Sequence, residues 1–277
     1  MEQQLKLMKY SPKNLENEVN VGKGSPLKDF FKMLASTLVI LSITFIIFEL
    51  SINVLVKNIP DSFEEKLHNF VFKKFYASYQ QNEKEKNVQI ILNKLLEHSV
   101  LKTKEFQIKI IEDDSENALA HMGGRIVIHE KLLKETKTEN SLALVLSHEL
   151  GHYKYRHHLQ GLGKAVIILS ISLAANGSGD FFNDYISKAL KFNILRSNRD
   201  AEREADSFSI DLLHRSYGHF NGAFSFFERI SKLSSESKVF GKYFQTHPLP
   251  KERIVFLTEL SLKKKDQKPG KIIPYEY

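Results

Sequence analysis

The pattern His-Glu-x-x-His at residues 148–152 constrains this chain most, because its side chains can meet only if the segment is helical. On a helix, His148 and His152 lie one turn apart on the same face, where two imidazoles can bind one metal ion. Glu149 lies beside them, where its carboxylate can take a proton from a water on that metal. An ordinary surface helix with two histidines and a glutamate could have the same sequence, so the rest of the chain must distinguish a metal-binding helix from a surface helix.

The composition limits which ligands and partners are available. The chain has 277 residues, a formal net charge of +7, a hydrophobic content of 42% and no cysteine. Without thiolates, any metal must be held by His, Asp or Glu. The lysines are scattered and often neighbour glutamates, and no aromatic-basic pattern of a nucleic-acid module is present. We therefore expect no nucleic-acid partner and assign the charge to solubility and to attraction for anionic lipid.

An apolar segment near the N-terminus predicts a membrane helix. Residues 33–48 carry no charge, and apolar residues resume after Glu49 and continue to Val56. Residues 31–56 therefore exceed the roughly 20 residues that a bilayer-spanning helix needs. We predict a single-pass, uncleaved signal anchor that contacts membrane lipid. Six lysines lie before residue 33 and four lie between residues 57 and 74, which favours a folded domain on the non-cytoplasmic side.

Hydrophobic periodicity predicts the secondary structure of the remaining chain. Strands are expected where apolar residues alternate, and the glycine pair Gly123-Gly124 is expected to join two of them as a hairpin. The predicted strands cover residues 106–111, 117–120 and 125–128, and the predicted helices cover residues 83–101, 141–157, 181–194, 198–215, 219–233 and 250–263.

The predicted domain organisation has one folded domain after the membrane helix. Within it, residues 163–175 are apolar but too few to span a bilayer, so they predict either a buried helix or one that dips into the membrane. The segments in order are a flexible N-terminal tail at residues 1–30, the signal anchor at 31–56, a connector at 57–82, the folded domain at 83–263 and a loose C-terminal tail at 264–277.

A hydrolytic zinc site needs three protein ligands and one open position, so His148 and His152 require a third ligand. His158 stands six residues after His152, but that arrangement needs a glycine three residues after the second histidine to turn the chain. Tyr155 occupies that position. We therefore exclude His158 as a ligand and interpret His157 and His158 as a solvated helix end.

A second acidic cluster, at residues 198–206, offers another candidate. Glu202 and Asp206 are four residues apart and share a helix face, whereas Glu204 points elsewhere. One carboxylate could bind the metal while the other holds a ligand imidazole. The same residues could also form an ordinary charged helix with intrahelical ion pairs.

Four motifs in order resemble the membrane-associated zinc peptidases that include the CAAX prenyl proteases, the HtpX-type peptidases and the mitochondrial quality-control peptidases. The resemblance covers about residues 83–260. Two departures are Met122, where the family commonly has Pro, and Asn198, where it commonly has Ser. The motifs are Asn117-Ala118-Leu119-Ala120 with Gly123-Gly124, His148-Glu149-Leu150-Gly151-His152, Arg199-x-x-Glu202-x-Glu204-Ala205-Asp206, and Thr246-His247-Pro248 with Arg253.

The resemblance implies an α+β, mainly α, zincin-like metallopeptidase domain with a small antiparallel sheet beside the metal-binding helix. It implies one Zn²⁺ per chain, with substrate adding as a strand beside an edge of that sheet. His247 could alternatively fill the fourth zinc position in a latent state. The implied roles are metal ligation by His148, His152 and Glu202, support of a ligand by Asp206, catalysis by Glu149, His247 and Arg253, and substrate pairing by Asn117, Ala118, Leu119 and Ala120.

The implied function is that of a membrane-anchored zinc endopeptidase acting on membrane or misfolded envelope proteins. The alternative is a non-hydrolytic, zinc-stabilised chaperone or adaptor that binds unfolded chains, against which the intact Glu149 argues. A CAAX prenyl substrate is not expected, because those enzymes enclose a multi-helix membrane chamber and this chain has one clear span. The sequence does not indicate the oligomeric state, the substrate or the cleavage specificity.

Overall fold

The computed structural model describes residues 25–60, 62–64, 66, 81–161, 163, 199–236, 247 and 250–277. The chain divides into two compact units, Met1–Ile47 and Phe48–Tyr277. The predicted helix at residues 181–194, nearly all of the apolar stretch at 163–175, most of the N-terminal tail and much of the connector lie outside the described residues.

The predicted membrane segment is one long helix, α1, at Pro26–Lys57. Its proline lies in the first turn, where the missing N–H costs no hydrogen bond. The 31 residues Pro26–Val56 are long and apolar enough to cross a bilayer, and their large apolar side chains are mostly exposed. In the last turns, Ile52 and Val56 are instead buried and pack against Leu159.

Helix α2, at Glu83–Glu97, begins with a capping box in which Asn82 and Glu85 satisfy each other's backbone N–H groups. Its apolar face, including Val88 and Leu92, is buried as the periodicity predicted. Glu85 also accepts the Ile110 N–H at 2.8 Å, which ties the helix to the sheet.

The sheet contains strands β1 at Gln107–Ile111, β2 at Ala118–His121 and β3 at Arg125–His129, in the order β1-β3-β2. The expected antiparallel pairing holds for β2 and β3, but β1 and β3 run parallel. The sheet is therefore mixed, with β3 between the other two strands. Gly124 has φ +72, and a Cβ there would lie 2.0 Å from the Glu105 carbonyl oxygen, so this turn requires glycine.

Helix α3, at Glu130–Glu135, was not predicted, and it leads into α4 at Glu139–Lys154, which carries the His-Glu-x-x-His pattern. Thr138 caps α4 by accepting the Ser141 N–H at 3.1 Å. The helix ends three residues before the predicted end, because the chain turns at Arg156, a non-glycine residue with φ 56.

Helix α5, at Arg199–Tyr217, packs closely along α4. A Cβ at Gly151 would lie 2.8 Å from the Ala205 Cα, so only glycine allows this approach. Two more helices follow, α6 at Ser225–Glu236 and α7 at Pro250–Leu262. The predicted start of α6 at residue 219 is six residues early, because a turn containing Gly222 at φ 78 precedes the helix.

The C-terminal residues are not the loose tail that the sequence suggested. Glu139 donates its N–H to the Ile273 carbonyl at 2.9 Å, and Tyr275 donates its N–H to the Lys137 carbonyl at 3.0 Å. The Tyr277 hydroxyl donates to Glu130 at 2.7 Å. These bonds satisfy backbone groups around the start of α4, so the C-terminal segment is held against the helix that carries the metal motif.

Candidate metal centre

Four buried side chains converge on one point, and we call His148, His152, Glu202 and His247 the metal quartet. The Nε2 atoms of His148 and His152 are 2.9 Å apart. Glu202 lies 3.3 Å from His148 Nε2 and 3.4 Å from His152 Nε2. His247 Nδ1 lies 3.3 Å from His148 Nε2 and 3.2 Å from Glu202 Oε1. The two helices α4 and α5 thus supply three of the four groups.

These spacings fit a zinc ion. Bonds of 2.0–2.1 Å directed to the corners of a tetrahedron place neighbouring ligand atoms about 3.3 Å apart. The two imidazole nitrogens that face each other at 2.9 Å both have a lone pair available for a metal once the proton between them is removed. The quartet therefore has the donor types and the spacing of a four-coordinate zinc site, with His247 at the fourth corner.

Asp206 and Arg253 lie behind His148. Asp206 Oδ1 is 2.9 Å from His148 Nδ1 and accepts a hydrogen bond from Arg253 Nη2 at 2.7 Å. Arg253 Nε donates to Asp206 Oδ2 at 2.9 Å, and its Nη1 lies 2.9 Å from Glu202 Oε2. The resemblance implied a catalytic role for Arg253 at the substrate or the oxyanion, and in the structure its guanidinium is buried against these two carboxylates.

The charges around the quartet favour a cation. Burial alone would raise the pKa of Glu202, but Arg253 and the surrounding histidines hold it well below the usual carboxylate range. Burial and Arg253 tend to lower the pKa of His148, but its bonds to Asp206 and Glu202 raise it to about 9. Burial and nearby His148 hold the pKa of His152 well below its usual value. Below about pH 9 the ring of His148 in the zinc-free site is therefore doubly protonated, and its Nε2 proton faces the position that a metal would take.

Glu149 lies beside the quartet and is also buried. Its Oε2 accepts the Ala120 N–H at 2.9 Å, and its Oε1 lies 3.5 Å from His247 Nε2. Burial raises the pKa of the Glu149 carboxyl above its usual value, which makes it a stronger base when it is ionised. Its position next to the metal-ligand atoms is the one that the helical spacing predicted.

The predicted substrate edge lies on β2, at the margin of the sheet formed by the described residues. The His129 N–H donates to the Asn117 carbonyl, so the alternation of the antiparallel ladder turns the backbone groups of Ala118 and Ala120 away from β3. The N–H of Ala118 bonds to the Asn117 side chain, and that of Ala120 bonds to Glu149. Asn117, Ala118 and Ala120 are buried, and Leu119 is partly buried.

The interpretation of His157 and His158 as a solvated helix end is wrong. His158 is not in the quartet, as expected, but its Nε2 lies 3.0 Å from Glu64 and its ring stacks on Tyr153. His157 Nδ1 lies 2.8 Å from His152 Nδ1, on the side opposite the quartet, and its Nε2 lies 3.0 Å from Glu204. No local sequence pattern predicted the turn at Arg156, and this turn directs the rings of His157 and His158 into the protein.

Some predicted residues fall outside the described part of the chain. Of the C-terminal motif, His247 and Arg253 are described, whereas Thr246 and Pro248 are not. Asn198, the departure that precedes α5, is also outside it.

Comparison with known proteins agrees with this geometry. The sequence model of Peptidase family M48 matches residues 82–261, which include the whole quartet. The chain is 27% identical over 165 residues to the mitochondrial metalloendopeptidase OMA1 of Schizosaccharomyces pombe, covering 59% of this chain and 49% of the relative. It is 30% identical over 163 residues to the beta-barrel assembly-enhancing protease of Yersinia pestis, covering 54% of this chain and 33% of the relative.

The chain thus spans half or less of the length of these two curated relatives. The family match itself extends over more than half of this chain and contains both helices that form the metal centre. The chain therefore belongs to Peptidase family M48, a family of zinc metallopeptidases.

Proposed function

We propose that this chain is a membrane-anchored zinc endopeptidase that cleaves membrane or misfolded envelope proteins. The observation that carries the proposal is the position of Glu149 immediately beside a quartet with tetrahedral zinc spacing. A purely structural zinc site needs four ligands and no base, so a buried carboxylate at its side has a chemical rather than a structural use.

Each residue then has a definite task. His148, His152 and Glu202 hold the zinc, which when bound lowers the pKa of water and polarises a carbonyl. Glu149 takes the proton from the attacking water and returns it to the leaving amine. Asp206 holds the imidazole of His148 in one orientation. Arg253 contacts both Asp206 and Glu202 and is therefore a positioning residue.

His247 keeps the site in a resting arrangement. Its Nδ1 lies at the corner that an attacking water needs, so it must leave before hydrolysis. Replacing His247 with alanine should then raise basal cleavage. If His247 instead assists the reaction at the substrate, the same replacement should lower cleavage.

The substrate adds as an extended strand along β2, at Asn117–Ala120. The carbonyl groups of Ala118 and Ala120, which face away from β3, support this role, since strand addition uses main-chain hydrogen bonds and tolerates many sequences. The N–H groups of these two residues are already bonded within the chain. The Ala120 N–H bonded to Glu149 connects this edge directly to the proposed base. Ala118, Ala120 and His247 are all buried, so we expect substrate access to require an opening of the site.

Helix α1 anchors the enzyme in the bilayer. Six lysines lie before residue 33, where the uncharged part of the helix begins, against four between residues 57 and 74, and this excess supports a cytoplasmic N-terminus with the peptidase domain on the other side. Digestion of intact vesicles by an added protease would test this orientation, since a C-terminal tag should be accessible only from the non-cytoplasmic side.

The central experiment replaces Glu149 with glutamine in the full chain in detergent micelles, with and without His247→Ala. Cleavage of an unfolded protein should fall by roughly 10²–10⁴-fold, because the proton acceptor is lost, while bound zinc stays constant. Glu97→Gln, at an exposed position at the end of α2, is the matched control and should change neither quantity.

Unchanged cleavage by the Glu149→Gln chain would contradict the proposed mechanism. Zinc and substrate binding without cleavage, in both the unmutated and the His247→Ala chains, would favour the non-hydrolytic chaperone.

A further inference from the structure

The zinc ligand His152 contacts a second histidine on the side away from the metal. Its Nε2 faces the quartet, so its Nδ1 points outward, where it meets Nδ1 of His157 at 2.8 Å. Nε2 of His157 in turn lies 3.0 Å from Glu204 Oε2. The three side chains form a continuous row from the metal centre to the surface, and we call them the outer row.

Only one placement of protons satisfies the outer row. To bind zinc through Nε2, neutral His152 must carry its proton on Nδ1, which then donates to an acceptor. His157 Nδ1 is that acceptor, so the proton of His157 is on Nε2. That proton is donated to the Glu204 carboxylate, which accepts only. Each group therefore determines the tautomer of the next.

The fold holds His157 in place through its neighbours. Arg156 adopts a left-handed backbone conformation, φ 56, and its guanidinium donates to the carbonyls of Val56, at 3.0 Å, and of Ile59. The His157 ring lies edge-on to that of His152, with centroids 5.0 Å apart, and stacks on Tyr155. With its side chain only 6% exposed, His157 has the surroundings of a fixed structural group rather than of a surface residue.

We propose that His157 is a positioning residue that orients His152 for zinc through the hydrogen bond between their Nδ1 atoms. A ligand histidine that donates its second N–H is held in one tautomer and one ring orientation and becomes more basic, and losing such a partner typically costs 10–100-fold in metal affinity. Asp206 serves His148 in this way, and His157 is the equivalent support for the other ligand histidine.

The test measures zinc affinity by competition with a chromophoric chelator, using the full chain in detergent micelles. His157→Phe keeps an aromatic ring but removes both nitrogens, and it should weaken zinc binding by about 10–100-fold. His157→Asn fills the site less well but keeps an acceptor near the Nδ1 position, so its affinity should lie within a few-fold of the unmutated chain. A packing role predicts the opposite order.

His158→Phe is the matched control, because this neighbouring buried histidine bonds to Glu64 and not to a metal ligand. It should leave zinc affinity unchanged. The proposal is overturned if His157→Phe binds zinc normally, if His157→Asn binds as weakly as His157→Phe, or if His158→Phe weakens binding equally.

A second measurement uses the unmutated chain, so its result does not depend on whether the His157 variants fold. Histidine ¹⁵N spectra of the zinc-loaded chain should show His152 protonated at Nδ1 and His157 protonated at Nε2. A His157 proton on Nδ1 would contradict the proposal. The inference rests on the zinc site of the proposed function, but both readouts can be repeated with Glu149→Gln, so they stand or fail independently of catalysis.

Discussion

The two ligand histidines of α4 are supported from behind in different ways. His148 contacts Asp206, whose side chain is 1% exposed, and Arg253 pairs with that carboxylate through two hydrogen bonds. His152 contacts a histidine, and the carboxylate at the end of its row, Glu204, is 55% exposed. His148 is therefore supported by a buried ion pair, whereas the contacts behind His152 end at a carboxylate exposed to solvent.

This difference has an energetic consequence. A charge in the interior is tolerated only while its partner is present, so removing half of a buried pair leaves an uncompensated ion and costs several kcal/mol. A charge that reaches water is solvated when its partner is lost, and exposed pairs contribute little. We expect the His148 side to govern both folding and zinc binding, and the His152 side to govern mainly zinc binding.

The largest effect is expected from Asp206→Asn. The amide keeps the shape of the side chain but removes the charge that faces both His148 and Arg253. The free energy of unfolding should fall by about 3 kcal/mol, the lower end for breaking a buried pair, because Arg253 keeps its contact with Glu202. Denaturant unfolding of the zinc-free and zinc-loaded chains measures this loss. A change below that of an ordinary surface substitution would show that the buried pair is not a structural requirement.

The two sides should also respond differently to pH. In the zinc-free site the pKa of His148 is raised from 6.5 to about 9, whereas burial, opposed in part by Glu204, lowers the pKa of His157. The protonated form of His148 therefore stabilises the zinc-free fold fully below pH 6.5, and this contribution is lost as the pH rises to about 9.

The measurement that follows compares thermal unfolding of zinc-free and zinc-loaded chains from pH 6.5 to 9. The zinc-free chain should lose stability across this range, while zinc, which replaces the proton of His148, should remove the dependence. Zinc binding at pH 7.5 should release about one proton, measurable by calorimetry in buffers of different ionisation enthalpy. Zinc binding without proton release would assign the neutral form to His148 and contradict this account.

The convergence of His148 and His152, the candidate ligand histidines, could be predicted from sequence because helical spacing is a local property. His148, Glu149 and His152 needed only the period of one helix, and the family resemblance supplied Glu202. Gly151 lies within the same motif, and the structure explains why its position excludes a Cβ, since α5 passes 2.8 Å from where that atom would be. Local pattern also gave β3 and α7 to within a residue or two.

The outer row could not be predicted, because it depends on contacts between distant segments. The left-handed turn at Arg156 is stabilised by carbonyls of Val56 and Ile59, about a hundred residues earlier in the chain. Without that turn, His157 would continue the helix into solvent, as the sequence suggested. The parallel pairing of β1 with β3 has the same origin, since no local alternation specifies which strand lies between the other two.

The smallest effect is expected from Glu204→Gln, the same carboxylate-to-amide change on the exposed side. Glutamine can still accept the His157 Nε2–H through its carbonyl oxygen, so the proton placement of the outer row survives. An exposed charged contact is worth at most about 1 kcal/mol, so zinc affinity should fall less than about fivefold and unfolding should hardly change. Chelator competition and denaturant unfolding, run beside Asp206→Asn, measure both. A Glu204→Gln chain as unstable as Asp206→Asn would mean that the surface carboxylate is as indispensable as the buried one, and the contrast between the two supports would fail.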